Sequence, residues 1–229
     1  VGVLSAGLAN MTRMSHNINY STADKAHALA YLGSNGALTG EQLRRLDIAR
    51  KNAQARQDDL DYWDVDWGLS IPDALDHLIA GHTDSTAKCA GNAYHAALQH
   101  IIDCNASDPA TLNTYSDPAK FFSLLDDEMH RLGVPTDLLP YGYLYGGLPD
   151  GFPLLPPPVD GYPTIGYLPL ANAKPAADAY RAVLDRMDPD VQYDVQELID
   201  KLTFEHNEWE FATRRVDWYT QDTLFFSLT

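Results

Sequence analysis

Cys89, His95, His100 and Cys104 place four potential metal ligands in the order C-x5-H-x4-H-x3-C. His100 and Cys104 are four apart and share a helix face, which suits two ligands of one ion. His95 falls on another part of that helix, and the spacing matches no zinc pattern. Neither a metal nor a cofactor is therefore expected. The run DDLDYWDVDWG at 58–68 raises calcium next. An EF-hand loop needs glycine at its sixth position and glutamate at its twelfth. Counted from Asp64, Gly68 falls fifth and Leu75 falls twelfth, so the run is not such a loop. Trp63 and Trp67, four apart, are expected to pack on one face with Asp58, Asp59, Asp61, Asp64 and Asp66 outside. That makes the run a solvated turn or an acidic contact patch. Glu205, His206, Glu208 and Glu210 could supply a histidine–carboxylate general base, although such pairs also arise on solvated helices. The G-x-S-x-G, P-loop, G-x-G-x-x-G and H-E-x-x-H patterns do not occur. Tyr141, Tyr143 and Tyr145 alternate as on one face of a strand, and Tyr162 follows among prolines. Tyrosines on rigid turns order at low entropic cost and make good contact surfaces.

Those residues need elements to hold them. Thr39-Gly-Glu-Gln42 is a capping box for a helix reaching about residue 57, with Leu43, Leu46, Ala49 and Ala53 as its buried stripe. It carries Arg44, Arg45, Arg50, Lys51 and Arg56, and a mobile acidic segment is expected after it. A shorter helix is expected over about 22–32, another from Ile71 to Gly81, and a clean stripe runs from Ala90 to Ile101. Asp117-Pro118 and Asp188-Pro189 pair an N-cap with proline at the first helical position. A helix over about 176–187 lies between them, and the last helical pattern has a break near His206. Strands are expected around Ile18–Tyr20, Tyr141–Tyr145, Thr164–Leu168 and the terminal TLFFSLT. Helices around a small mixed sheet make an α+β fold in a single domain. Its main part is 58–229, preceded by a helical region at 15–57. Residues 1–14 read as a leader remnant or an extension. The proline-rich LPDGFPLLPPPVDGYPTIGYLP at 148–169 holds large apolar side chains that linkers lack. It should be an ordered crossing that delivers Thr164–Leu168 into the sheet.

Composition narrows the partners. The 229 residues carry 32 acidic against 16 basic side chains, a formal charge of −16. That balance disfavours direct binding to nucleic acid or an anionic membrane, and favours a basic protein partner. No run is long and apolar enough to span a bilayer. A helix between Cys89 and Cys104 would hold them about 22 Å apart, beyond disulfide reach, so free thiols and a cytoplasmic location are expected.

Four segments in order add a likeness. WGLSIPDALDHLIAG (67–81), FFSLLDDEMHRLGVP (121–135), LPPPVDGYPTIGYLP (155–169) and the terminal DTLFFSLT resemble YfbM-like bacterial domains of unknown function and their actinobacterial relatives. The resemblance covers about 60–229 and implies a compact α+β domain. Small acidic bacterial domains of this kind often serve as toxin-neutralising or accessory binding proteins. The leading expectation is thus a non-enzymatic, immunity-type or adaptor domain that engages a basic protein through Asp58, Asp59, Asp61, Asp64, Asp66, Tyr141, Tyr143, Tyr145 and Tyr162. Two alternatives stand beside it. One is a small-ligand-binding or hydrolase-like domain with a pocket beside 141–167, containing a buried histidine or carboxylate of perturbed pKa. The other is a structural subunit of a larger assembly.

Overall fold

Two alternating segments far apart in the chain form the centre of the molecule. His16–Ala23 (β1) and Thr223–Leu228 (β4) pair antiparallel, with Tyr20 opposite Phe226. A computed structural model describes residues 15–229. It sets Ala110–Tyr115 (β2) outside β1 and Thr164–Pro169 (β3) outside β4, in the order β2-β1-β4-β3 with every pair antiparallel. Period two sends Leu224, Phe226 and Leu228 to one face and Phe225 to the other. Ile18, Tyr20 and Leu168 join the first set, and Ala23 and Ile165 join the second.

Each face is covered by helices, giving three layers. Lys25–Leu29 (α1), Gly40–Tyr62 (α2), Ile71–Ala80 (α3) and Ala90–Asp103 (α4) pack on the Phe225 side. Pro118–Leu132 (α5), Pro140–Tyr145 (α6), Leu170–Arg181 (α7) and Pro189–Arg215 (α8) pack on the Phe226 side. These elements make the α+β fold expected from the sequence, but the sheet is antiparallel throughout and not mixed.

The local signals explain most boundaries. Thr39 and Gln42 form the reciprocal capping box at the start of α2. Asp117 accepts from the Lys120 amide at the start of α5, and Gly133 ends that helix at φ +99°. No helix among the described residues is long and apolar enough to cross a membrane.

Several expectations need correction. The strand expected around Ile18–Tyr20 is present as the longer β1, paired on both edges, so the region 15–57 is a strand followed by helices rather than a helical region alone. The following α1 is brief, starting at Lys25 behind an Asp24 cap. Helix α2 continues to Tyr62, so Asp58, Asp59 and Asp61 form its last turns and not a mobile segment. Glutamines one turn earlier hold two of them: Gln54 donates to Asp58 and Gln57 to Asp61. Tyr141–Tyr145 is α6 and not a strand, since Pro140 sits at a first helical position and the segment turns back across β3. Helix α7 starts at Leu170 and tolerates Pro175 inside it, and α8 runs unbroken past His206. The expectation for residues 1–14 lies outside the described residues.

Candidate functional site

Helix α4 carries two stripes. Ala90, Ala93, Tyr94, Ala97, Leu98 and Ile101 are buried against α2 and α3. His95, Gln99 and Asp103, spaced by four, follow a second line with His100 beside it. This polar line closes a cavity of about 380 Å³ against the sheet, within the size range of small-molecule sites. The strands contribute Asn19, Ser227 and Ile165, which are neighbours in the β1–β4–β3 register. Trp67, Tyr162 and Arg56 complete the wall.

The proline-rich crossing is seated by α4 itself. A Cβ at Gly91 would lie 2.7 Å from the Pro156 carbonyl oxygen and closer still to that of Pro157, so only glycine lets the run pass. The next residue, Asn92, is buried and bonds the run twice. It donates to the Tyr162 carbonyl at 2.7 Å and accepts from the Val159 amide at 2.9 Å. Tyr162 is thereby placed at the cavity and stacks on His16, with ring centroids 4.0 Å apart. On the far wall the Trp67 carbonyl accepts from the Cys89 amide, tying the indole's segment to the start of α4.

The cavity's electrostatics follow from burial. His95 Nδ1 lies 2.8 Å from the Gly91 carbonyl oxygen, an atom that only accepts, so Nδ1 carries the proton. Burial pushes the His95 pKa down, which keeps the ring neutral and leaves a bare lone pair on Nε2. Among the described residues that Nε2 has no hydrogen-bond partner. Gln99 donates to Asp103 at 2.6 Å, which fixes its amide with Oε1 pointing away from that carboxylate. Gln99 Oε1 and His100 Nε2 are buried without a partner among the described residues. Each unmet group of this kind costs about 1–3 kcal/mol. Burial and then the Arg56 charge push His100 down to about 4, while burial pushes Asp103 up. His95 is thus the acceptor the cavity offers, with Trp67 and Tyr162 as aromatic walls, while Gln99 Oε1 and His100 Nε2 stay buried behind it.

The residues singled out from the sequence divide into groups. Tyr162 lines the cavity. Tyr145 meets it through a hydroxyl–hydroxyl contact of 3.2 Å, and Tyr141 stacks on Tyr145 at 4.7 Å, so these three rings form one connected path. Tyr143 does not share their face: it is 6% exposed, packed on Phe226, and offers no outer surface. The helical turn of α6 accounts for this, since residues two apart on a helix point to different sides. Asp58, Asp59, Asp61, Asp64 and Asp66 lie together at and beyond the end of α2, where Asp66 accepts from the Gly68 amide at 2.7 Å. Trp63 and Trp67 do not pack together. Trp63 ends α2 with 73% of its surface exposed, and Trp67 packs against the second core.

His95 does not point away from His100. The two line the same cavity, because a space bounded by a sheet can be touched from a broad arc of the helix. Cys89 and Cys104 stand at opposite ends of α4 as free thiols, and Cys104 packs into the second core. Sequence reasoning missed Asn92, Gln99, Asp103 and Arg56 as site residues. The available signal was the i, i+4, i+8 line of polar groups on a helix whose other stripe is wholly apolar.

A family model described as a domain of unknown function, DUF7691, matches residues 14–227. Neither the curated proteins nor the solved structures provide a match.

Proposed function

We propose, for a chain that belongs to the DUF7691 family, that it binds a small, flat, N–H-bearing heterocycle of about nucleobase size in the cavity between α4 and the sheet. The observation that carries this reading is His95, which lines the cavity with a ring held neutral by burial and fixed through Nδ1 on the Gly91 carbonyl, leaving Nε2 without a partner among the described residues. A bare acceptor between Trp67 and Tyr162 suits a planar molecule that donates along one edge. The likeness to YfbM-like domains belongs to the same proposal. Three of its four segments, 67–81, 155–169 and the terminal strand, supply walls of this cavity. Titration with adenine, guanine and cytosine tests it by calorimetry. At least one should bind the wild type, and His95→Leu should weaken that binding at least tenfold, about 1.4 kcal/mol. Binding unchanged by the substitution, or by none of the three, contradicts the reading.

A second reading, engagement of a basic protein partner, is favoured by one observation. Tyr62 and Trp63 form an edge-to-face pair at 5.1 Å, exposed by 79% and 73%, in the midst of the five aspartates. Aromatic anchors inside a charged rim resemble the centre of a binding hot spot. Partner recovery from host extract should fall at least tenfold for Trp63→Ser and should decline with salt. Recovery indifferent to both removes this reading.

A further inference from the structure

On the opposite face of the sheet, a groove of about 860 Å³ runs between α8 and β1. Its lining holds five carboxylates, among them Glu197, Glu205 and Glu208, against a single lysine, Lys201. Acidic clusters are common on a chain of this charge, so the cluster alone assigns nothing. Tyr20 supplies the independent observation. The residue is 5% exposed, on the core side of β1, and lines the groove, yet its hydroxyl makes no hydrogen bond among the described residues. The ring is held in the core while the hydroxyl, its one polar atom, opens into the groove with no protein partner, free to bond a ligand there.

The like charges are held together at a cost. Burial pushes the Glu205 carboxyl above its usual range, and neighbouring Glu208 pushes it further, with only Lys201 opposing. Burial and then the charges of Glu205 and Glu197 raise the Tyr20 hydroxyl to about 12, so at neutral pH it is a protonated phenol that can accept as well as donate. Trp209 borders the same groove and provides an aromatic face. Carboxylates interleaved with aromatic faces are the chemistry that recognises an alkylammonium ion, through ion pairs on one side and cation–π attraction on the other.

We propose that this groove binds a free linear polyamine, with ammonium groups held between Glu205, Glu208 and Glu197 and against Trp209 and the Tyr20 hydroxyl. The extended shape of the groove along one helix face suits a chain of spaced charges better than a single compact ion. Because this site lies across the sheet from His95, its occupation does not depend on the heterocycle reading.

Calorimetric titration of the full chain with spermidine at physiological salt tests the proposal. Saturable binding is expected, weakened at least tenfold in Glu205→Gln, several-fold in Glu208→Gln and about threefold in Tyr20→Phe. His95→Leu should bind spermidine as the wild type does, which separates failure here from failure of the first site. Glu208 is exposed, so its variant keeps the test open even where Glu205→Gln disturbs folding. Magnesium chloride at matched charge should not compete. Absence of saturable binding, equal competition by magnesium, or affinity unchanged in Glu208→Gln overturns the proposal. A lysine tetrapeptide that binds more tightly than spermidine also overturns it, since the cation would then belong to a protein partner.

Discussion

Gly91→Ala should lower the stability of the protein by about 1–3 kcal/mol and lower its melting temperature by several degrees. In an ordinary helix the same change stabilises by about 0.5–1 kcal/mol. The sign reverses here because the added methyl meets backbone carbonyls of Pro156 and Pro157, which cannot rotate away as a side-chain tip does. Gly142 in α6 is the internal control. A Cβ there meets nothing within 4 Å, so Gly142→Ala should be neutral or mildly stabilising. The larger consequence of Gly91→Ala is positional. Displacing the run loosens the two Asn92 hydrogen bonds and moves Tyr162 from the cavity wall, so ligand binding should fall with stability. Differential scanning calorimetry on both variants checks the pair. A Gly91→Ala protein as stable as the wild type would mean that the proline run does not press on α4.

His100→Leu should act in the opposite direction. Leucine has a similar volume and removes a buried nitrogen that has no partner among the described residues, a gain of about 1–3 kcal/mol. The pH dependence is the more diagnostic part. His100 has a folded pKa of about 4, below that of an unfolded histidine near 6.5. Between those values the unfolded chain binds a proton that the folded chain does not. Proton linkage at His100 therefore takes nothing from the wild type above about 6.5 and lowers its stability progressively as the pH falls towards 4. The advantage of His100→Leu over the wild type should grow through that window by at most about 1.4 kcal/mol per pH unit. Asp103, pushed up by the same burial, acts in the opposite sense in both proteins, so the difference between them isolates His100. Denaturant unfolding at pH 4.5, 5.5 and 7 measures it. An advantage that does not vary with pH contradicts a desolvated imidazole.

The sequence revealed elements whose signals are local. Thr39, Asp117 and Asp188 caps, the Gly81 and Gly133 stops, and the alternation of TLFFSL all act over a few residues and were legible. What stayed hidden depends on distant partners. Ala110–Tyr115 alternates weakly and becomes a strand because β1 supplies its ladder, with a bulge between Ile18 and Asn19. Tyr141–Tyr145 has the period of a strand but is fixed as a helical turn by Pro140 and by its seat on β3. Gly166 is the contact there, since a Cβ at that position would collide with the Tyr143 carbonyl. The site was half legible for the same reason. Tyr162, His95 and His100 attracted attention by type, but only the fold brings them to Asn19, Ser227 and Arg56 around one cavity.

The central claim is that His95 presents a neutral, unprotonated Nε2 to that cavity for a ligand donor. Nitrogen-15 spectra of the histidine rings test it directly, recorded at pH 7 with and without the best-binding heterocycle of the three. The expected result is the Nδ1–H tautomer for His95 in the free protein, with an Nε2 resonance that shifts on titration while that of exposed His27 stays in place. A His95 ring protonated on both nitrogens, or an Nε2 resonance that the heterocycle leaves unmoved, would contradict the account.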